Sequence, residues 1–235
     1  IAARHMESLF GLLSFFGGPN GPTIIGIVTA LMIVIWDWRV ALAGLFIVQV
    51  GVVSAAVTLG QFGTESAGVM VIVMGLATLI LALSAYQMTR TTTLYQAGTW
   101  PLRALLLALV YVAWELAEVN LPLPFLDPQL SDLFIWLGLC VLVLLGLSNN
   151  PLFSTVALLM WLIPIQIITS LIIPAPTLVA LIGTLALLLA LAGSYLILVE
   201  QVTVEDATPV VTDIAFPDDL GIPAATNFPI EAEEG

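Results

Sequence analysis

Apolar residues in this chain come in long unbroken runs rather than in alternation. Residues 67–88 and 177–199, for example, contain no charged side chain. Wound at 1.5 Å per residue, a run of about 20 residues matches the ~30 Å hydrocarbon core of a bilayer. In that medium every backbone amide must be satisfied within its own segment, so the runs are expected to be helices. The pattern places seven spans at residues 23–36, 40–59, 67–88, 102–119, 132–147, 152–173 and 177–199; the first is the shortest and open to extension through Trp38. The expected fold is all-α, a polytopic transmembrane helix bundle of three helices, one bridging helix and three more.

Polar interruptions divide the chain into an N-terminal interfacial segment (1–22), a first three-helix unit (23–88), a linker with the bridging helix (89–131), a second three-helix unit (132–199) and a tail (200–235). Both triplets have a very short connection after their first span, Asp37-Trp38-Arg39 in one and Ser148-Asn149-Asn150 in the other, which reads as a weak parallel internal repeat. Residues 6–16 read as an amphipathic interfacial helix that puts Leu9, Phe10, Leu13, Phe15 and Phe16 into lipid. This first apolar stretch ends in Gly17-Gly18-Pro19-Asn20-Gly21-Pro22 rather than in a cleavage site of small residues, so insertion is expected to use the first span, and Met6 reads as a translation start.

Composition agrees with a membrane protein: 60% of residues are hydrophobic and 9% charged, far from the usual composition of a soluble domain. The four basic residues are all arginines. With seven crossings, Arg39, Arg90 and Arg103 fall on one side with the tail. The positive-inside rule makes that side cytoplasmic and the N-terminus external, as in a prokaryotic inner membrane. The net charge of -12 comes mostly from the tail, where nine of the sixteen acids follow Val199. Such a charge argues against nucleic acid as a partner. One cysteine, Cys140, excludes an internal disulfide, and the single histidine, His5, lies outside the spans. No metal site, no catalytic constellation and no cofactor bound by this chain alone is therefore expected.

An ionisable or polar group inside a span is a functional candidate, because its burial is unfavourable unless it is paired or hydrated. Glu115 and Glu118 share a helical face beside Trp114 near the outer end of the fourth span; they read either as a proton-accepting pair or as markers of the headgroup zone. Gln49 and Gln166 complete a candidate polar path, or else hydrogen-bond between helices. Arg39, with Trp36 and Trp38, reads as an interfacial anchor or as a contact for a lipid or quinone headgroup. Pro164 leaves a carbonyl free in the sixth span. Small residues mark close helix approach: Gly51 and Ala55 in the second span, and Gly183, Ala186, Ala190, Gly193 and Ser194 in the seventh.

The stretch from Arg39 to Gln49 (RVALAGLFIVQ), followed by a glycine-containing loop and Gly68-Val-Met-Val-Ile-Val-Met74, resembles the three-helix K-type subunit of respiratory complex I and its relatives in Mrp antiporters. The two-triplet plan is similar to the longer E-type membrane subunit of hydrogenase-4 complexes. The resemblance covers the first three spans best and the last three faintly. It implies a membrane-embedded glutamate ten residues after the basic residue of the second helix, and often another in the third. Those places hold Gln49 and, approximately, Leu81. A glutamine exchanges no proton at physiological pH. The resemblance thus implies a subunit that keeps the packing role and has lost the proton relay.

The tail is acidic and proline-rich, with apolar anchors at Phe216, Leu220, Ile222 and Phe228. Its composition is that of a disordered segment, and spaced anchors suit a strap on a cytoplasmic protein. The first functional reading is a noncatalytic membrane subunit of an energy-transducing complex, in contact with other membrane subunits and lipid. The alternative is a secondary transporter for a small solute, which the repeat, Pro164 and the two glutamines support and the lack of a mid-membrane charge opposes. An enzyme acting on lipid ranks third, for want of a nucleophile constellation.

Overall fold

A computed structural model describes residues 16, 18, 20–88, 100–117, 123–173 and 175–207. Within them lie seven helices: α1 (Gly21–Ile35), α2 (Trp38–Thr58), α3 (Thr64–Met88), α4 (Trp100–Ala117), α5 (Pro128–Leu147), α6 (Pro151–Ile172) and α7 (Pro176–Ala207). Six are long and apolar enough to cross a membrane, and the exception is α1, with 15 residues. At 1.5 Å per residue α1 spans roughly 22 Å. It ends at Ile35 because Trp36 turns left-handed (φ 51°, ψ 38°), so the extension through Trp38 is not made.

Helix starts follow capping chemistry more closely than hydropathy. The side chains of Asp37, Asp127 and Asn150 accept hydrogen bonds from the backbone N–H groups of Arg39 (2.7 Å), Gln129 (2.9 Å) and Leu152 (2.8 Å). Each satisfies one of the donors left over at a helix N-terminus. Pro128 and Pro151 open α5 and α6, where a missing N–H is tolerated. Helix α5 therefore begins at Pro128 rather than at Asp132, where the span was expected to start. Helix α2 closes on Gly60, whose φ of 70° lets its own N–H reach the Val57 carbonyl (3.0 Å) and that of Gln61 reach the Ala56 carbonyl (2.9 Å).

The helices stack as two layers in the same order. α1, α2 and α3 form one layer and α5, α6 and α7 the other, with α1 on α5, α2 on α6 and α3 on α7, the last being the most extensive contact. Helix α4 lies beside the layers, touching α1 and α5, and only its Arg103 and Leu107 are buried.

Between apolar helices in lipid, packing contacts and not water exclusion supply the attraction, so small residues at crossings matter. A Cβ on Gly51 would come within 2.8 Å of Ile25, one on Gly138 within 2.9 Å of Trp161, and one on Gly183 within 3.4 Å of Val73. Gly44 and Gly193 sit still closer to Met32 and Thr155. Ala55, Ala186 and Ala190 are likewise buried. The Ser84 and Ser194 hydroxyls hydrogen-bond across the α3–α7 contact.

Candidate functional site

Two clusters of aromatic and charged side chains occupy opposite ends of α1. At its C-terminal end Trp36 is only 6% exposed and stacks on Phe153 of α6, ring centroids 4.2 Å apart and 18° from parallel. The Arg103 guanidinium lies over the Trp36 ring, 4.1 Å from its centroid. Arg103 is itself 5% exposed. A left-handed backbone costs a bulky residue about 1–2 kcal/mol. The stack and a desolvated cation–π contact, worth about 2 kcal/mol, offset that strain. The structure thus separates the three residues read as an interfacial anchor. Trp36 turns inward, whereas Arg39 is exposed and lies over the half-buried Trp38 at 5.3 Å.

At the N-terminal end of α1 a half-open cavity of about 550 Å³ lies between α1, α4 and α5. Helix α4 contributes Tyr111, Trp114 and Glu115; helix α5 contributes Gln129, Asp132, Leu133 and Trp136. The wall from α1 is Thr23, Gly26, Ile27 and Ala30, with Pro22 at the lip. The Trp136 indole N–H donates to the Gly26 carbonyl (3.2 Å), which pins a ring that is only 9% exposed. Tyr111 meets Trp114 and Trp136 edge to face at 5.9 and 5.8 Å, and the two indoles are 5.9 Å apart, so the three rings form one continuous wall. Tyr111 and Glu115 stand one helical turn apart on the same face of α4.

Two other residues read as a polar path, Gln49 and Gln166, do not line this cavity. Gln49 is 0% exposed in the core of α2, and neither its Oε1 nor its Nε2 has a hydrogen-bond partner. Leaving such an amide unpaired costs about 1–3 kcal/mol. Gln166 is buried in α6 beside Pro164, which is also buried. Glu118 lies outside the described residues, as do the tail anchors Phe216, Leu220, Ile222 and Phe228. Buried hydroxyls satisfy themselves within their own helices: Thr29 donates to the Ile25 carbonyl (2.9 Å) and Thr155 to that of Pro151 (2.7 Å). Among the described residues no acidic side chain is buried as a whole, although the Oε2 of the half-buried Glu200 is enclosed, and no group of three or more metal-ligating side chains comes together.

The sequence reading passed over Tyr111, Gln129, Asp132 and Trp136. Spacing contained a partial signal, since positions 111, 114 and 115 share one helical face and 129, 132 and 136 another. Periodicity does not say that the two faces meet. Compared with known proteins, the chain matches no family model, no curated protein and no solved structure. Its resemblance to K-type and E-type membrane subunits therefore rests on the residues quoted for it above.

Proposed function

We propose that the chain is a noncatalytic integral membrane subunit of a multisubunit energy-transducing assembly of the complex I, hydrogenase and antiporter kind. The carrying observation is the character of the bundle core. At the position where the resemblance expects a proton-exchanging glutamate stands Gln49, fully enclosed, and the other buried polar residues of the described bundle are hydroxyls and an amide, with Arg103 the sole charged one. An amide holds its protons at any physiological pH. Such a core packs helices and carries no proton wire.

In this reading all seven helices cross a prokaryotic inner membrane, the short α1 packed against α2, α4 and α5. The end bearing Arg39 and Arg103 faces the cytoplasm. Arg39 and Trp38 contact lipid headgroups or quinone there, and the tail straps onto a cytoplasmic partner. The bare outer face of α4 and the apolar faces of α3 and α7 meet lipid and neighbouring membrane subunits.

Gentle-detergent purification of the native protein, with mass spectrometry of everything that migrates with it, tests the proposal. Recovery in a stoichiometric complex with antiporter-like or redox membrane subunits is the expected result. Recovery alone or as a homodimer contradicts it and favours a transporter of a small solute. In the complex, Gln49→Ala leaves pumping intact, while deletion of residues 210–235 weakens assembly.

A further inference from the structure

We infer that the cavity between α1, α4 and α5 binds an ammonium group carried on a small apolar body. Four features converge on that chemistry. The wall carries three aromatic rings, and the face of such a ring attracts cations, that of indole most strongly. Two carboxylates, Glu115 from α4 and Asp132 from α5, stand at the same cavity, and among the described residues no lysine, arginine or histidine lines it. Anionic ligands are thereby disfavoured and a positive charge is favoured. The α1 side, with Ile27 and Ala30, offers apolar surface for the substituents of such a cation. The volume of about 550 Å³ falls within the range of about 300–1,000 Å³ that small-molecule pockets occupy.

Two simpler occupants fit less well. Hard metal ions take six or more oxygen ligands, and indole rings offer none. An ordinary interfacial aromatic belt presents its rings to lipid. Trp136 is instead enclosed and tied to the Gly26 carbonyl, and a Cβ on Gly26 would lie within 3.3 Å of the indole. The ring position is thus set by the α1–α5 contact, as a preorganised binding wall requires. The same ammonium chemistry reaches the cavity either as a free solute or as the headgroup of a choline or ethanolamine lipid.

The test uses the full chain in phosphatidylglycerol nanodiscs, which contain no ammonium group. It is titrated with choline and, separately, with 3,3-dimethylbutan-1-ol, the uncharged isostere, while tryptophan fluorescence and heat are recorded. Saturable choline binding is expected, with the isostere weaker by about tenfold or more. Glu115→Gln and Asp132→Asn change exposed side chains and preserve the fold by circular dichroism; each lowers choline affinity by about tenfold. Trp114→Leu does the same. Equal binding of choline and its isostere, unchanged affinity in the Glu115→Gln/Asp132→Asn double variant, or no saturable signal overturns the inference. Repetition in phosphatidylcholine nanodiscs identifies the source. Choline binding lost there but kept in phosphatidylglycerol marks the lipid headgroup as occupant, and equal binding in both marks a free solute. None of these outcomes depends on whether the chain co-purifies with other subunits.

Discussion

The two ends of α1 use the same materials to opposite effect. At the C-terminal end Trp36, Phe153 and Arg103 stack into one another until little surface remains. At the N-terminal end Tyr111, Trp114 and Trp136 touch only at their edges or at a tilt, and leave a cavity with carboxylates beside it. The difference lies in where the third element sits. Helix α6 reaches the closed end and supplies Phe153 as a lid. At the open end α4 and α5 meet sparsely, their contact being among the weakest between neighbouring helices. An aromatic cluster with a charge beside it is therefore no sign of function by itself. Where α6 adds a ring to the stack the cluster closes into structure, and where α4 and α5 meet only sparsely it leaves a cavity.

The largest expected effect belongs to the closed end. Trp36→Ala removes a buried ring on which both Phe153 and Arg103 rest, and should destabilise the protein by about 3–5 kcal/mol in detergent unfolding. A loss under about 1 kcal/mol would mean that the stack is incidental. Next comes helix approach in the same half of the bundle. Gly193→Val drives a branched side chain into Thr155 and should cost about 1–3 kcal/mol, seen as a lowered Tm. In the core, Gln49→Leu removes an unpaired amide of similar size. It should raise stability by about 1 kcal/mol, whereas a loss of that size would reveal a hidden partner for Gln49. The smallest effect is expected at the open end: Trp114→Ala, at a half-exposed position, should cost about 1 kcal/mol or less. If it rivals Trp36→Ala, the two ends are built alike and the comparison fails.

Helices of the bundle were legible because hydrocarbon leaves the chain no other option over 20 apolar residues. Their limits were less so. Asp127-Pro128 and Asn150-Pro151 are capping signals that start α5 and α6 outside the apolar run, and α7 continues to Ala207 through acidic residues that hydropathy excludes. The stop at Trp36 was hidden as well, since a left-handed tryptophan has no local signature and is held by partners more than 60 residues away. The stacking of the triplets was beyond periodicity, which shows that a face is small or apolar but not which face it meets. The cavity was missed for the same reason. Glu115 drew notice as a charge in a span, while Asp132 and Trp136 were read as the start of another helix, and only their packing together makes a site.

Whether the two ends lie on opposite faces of the membrane can be asked directly. In a Cys140→Ser background, single cysteines at position 39, at the closed end, and position 125, in the loop that Gln61 bonds at the open end, are exposed to a membrane-impermeant maleimide in intact cells. Labelling at position 125 and protection at position 39 until the cells are opened is the expected result. Labelling of both from outside would contradict a bundle whose sealed, basic end faces the cytoplasm and whose open, aromatic end faces out.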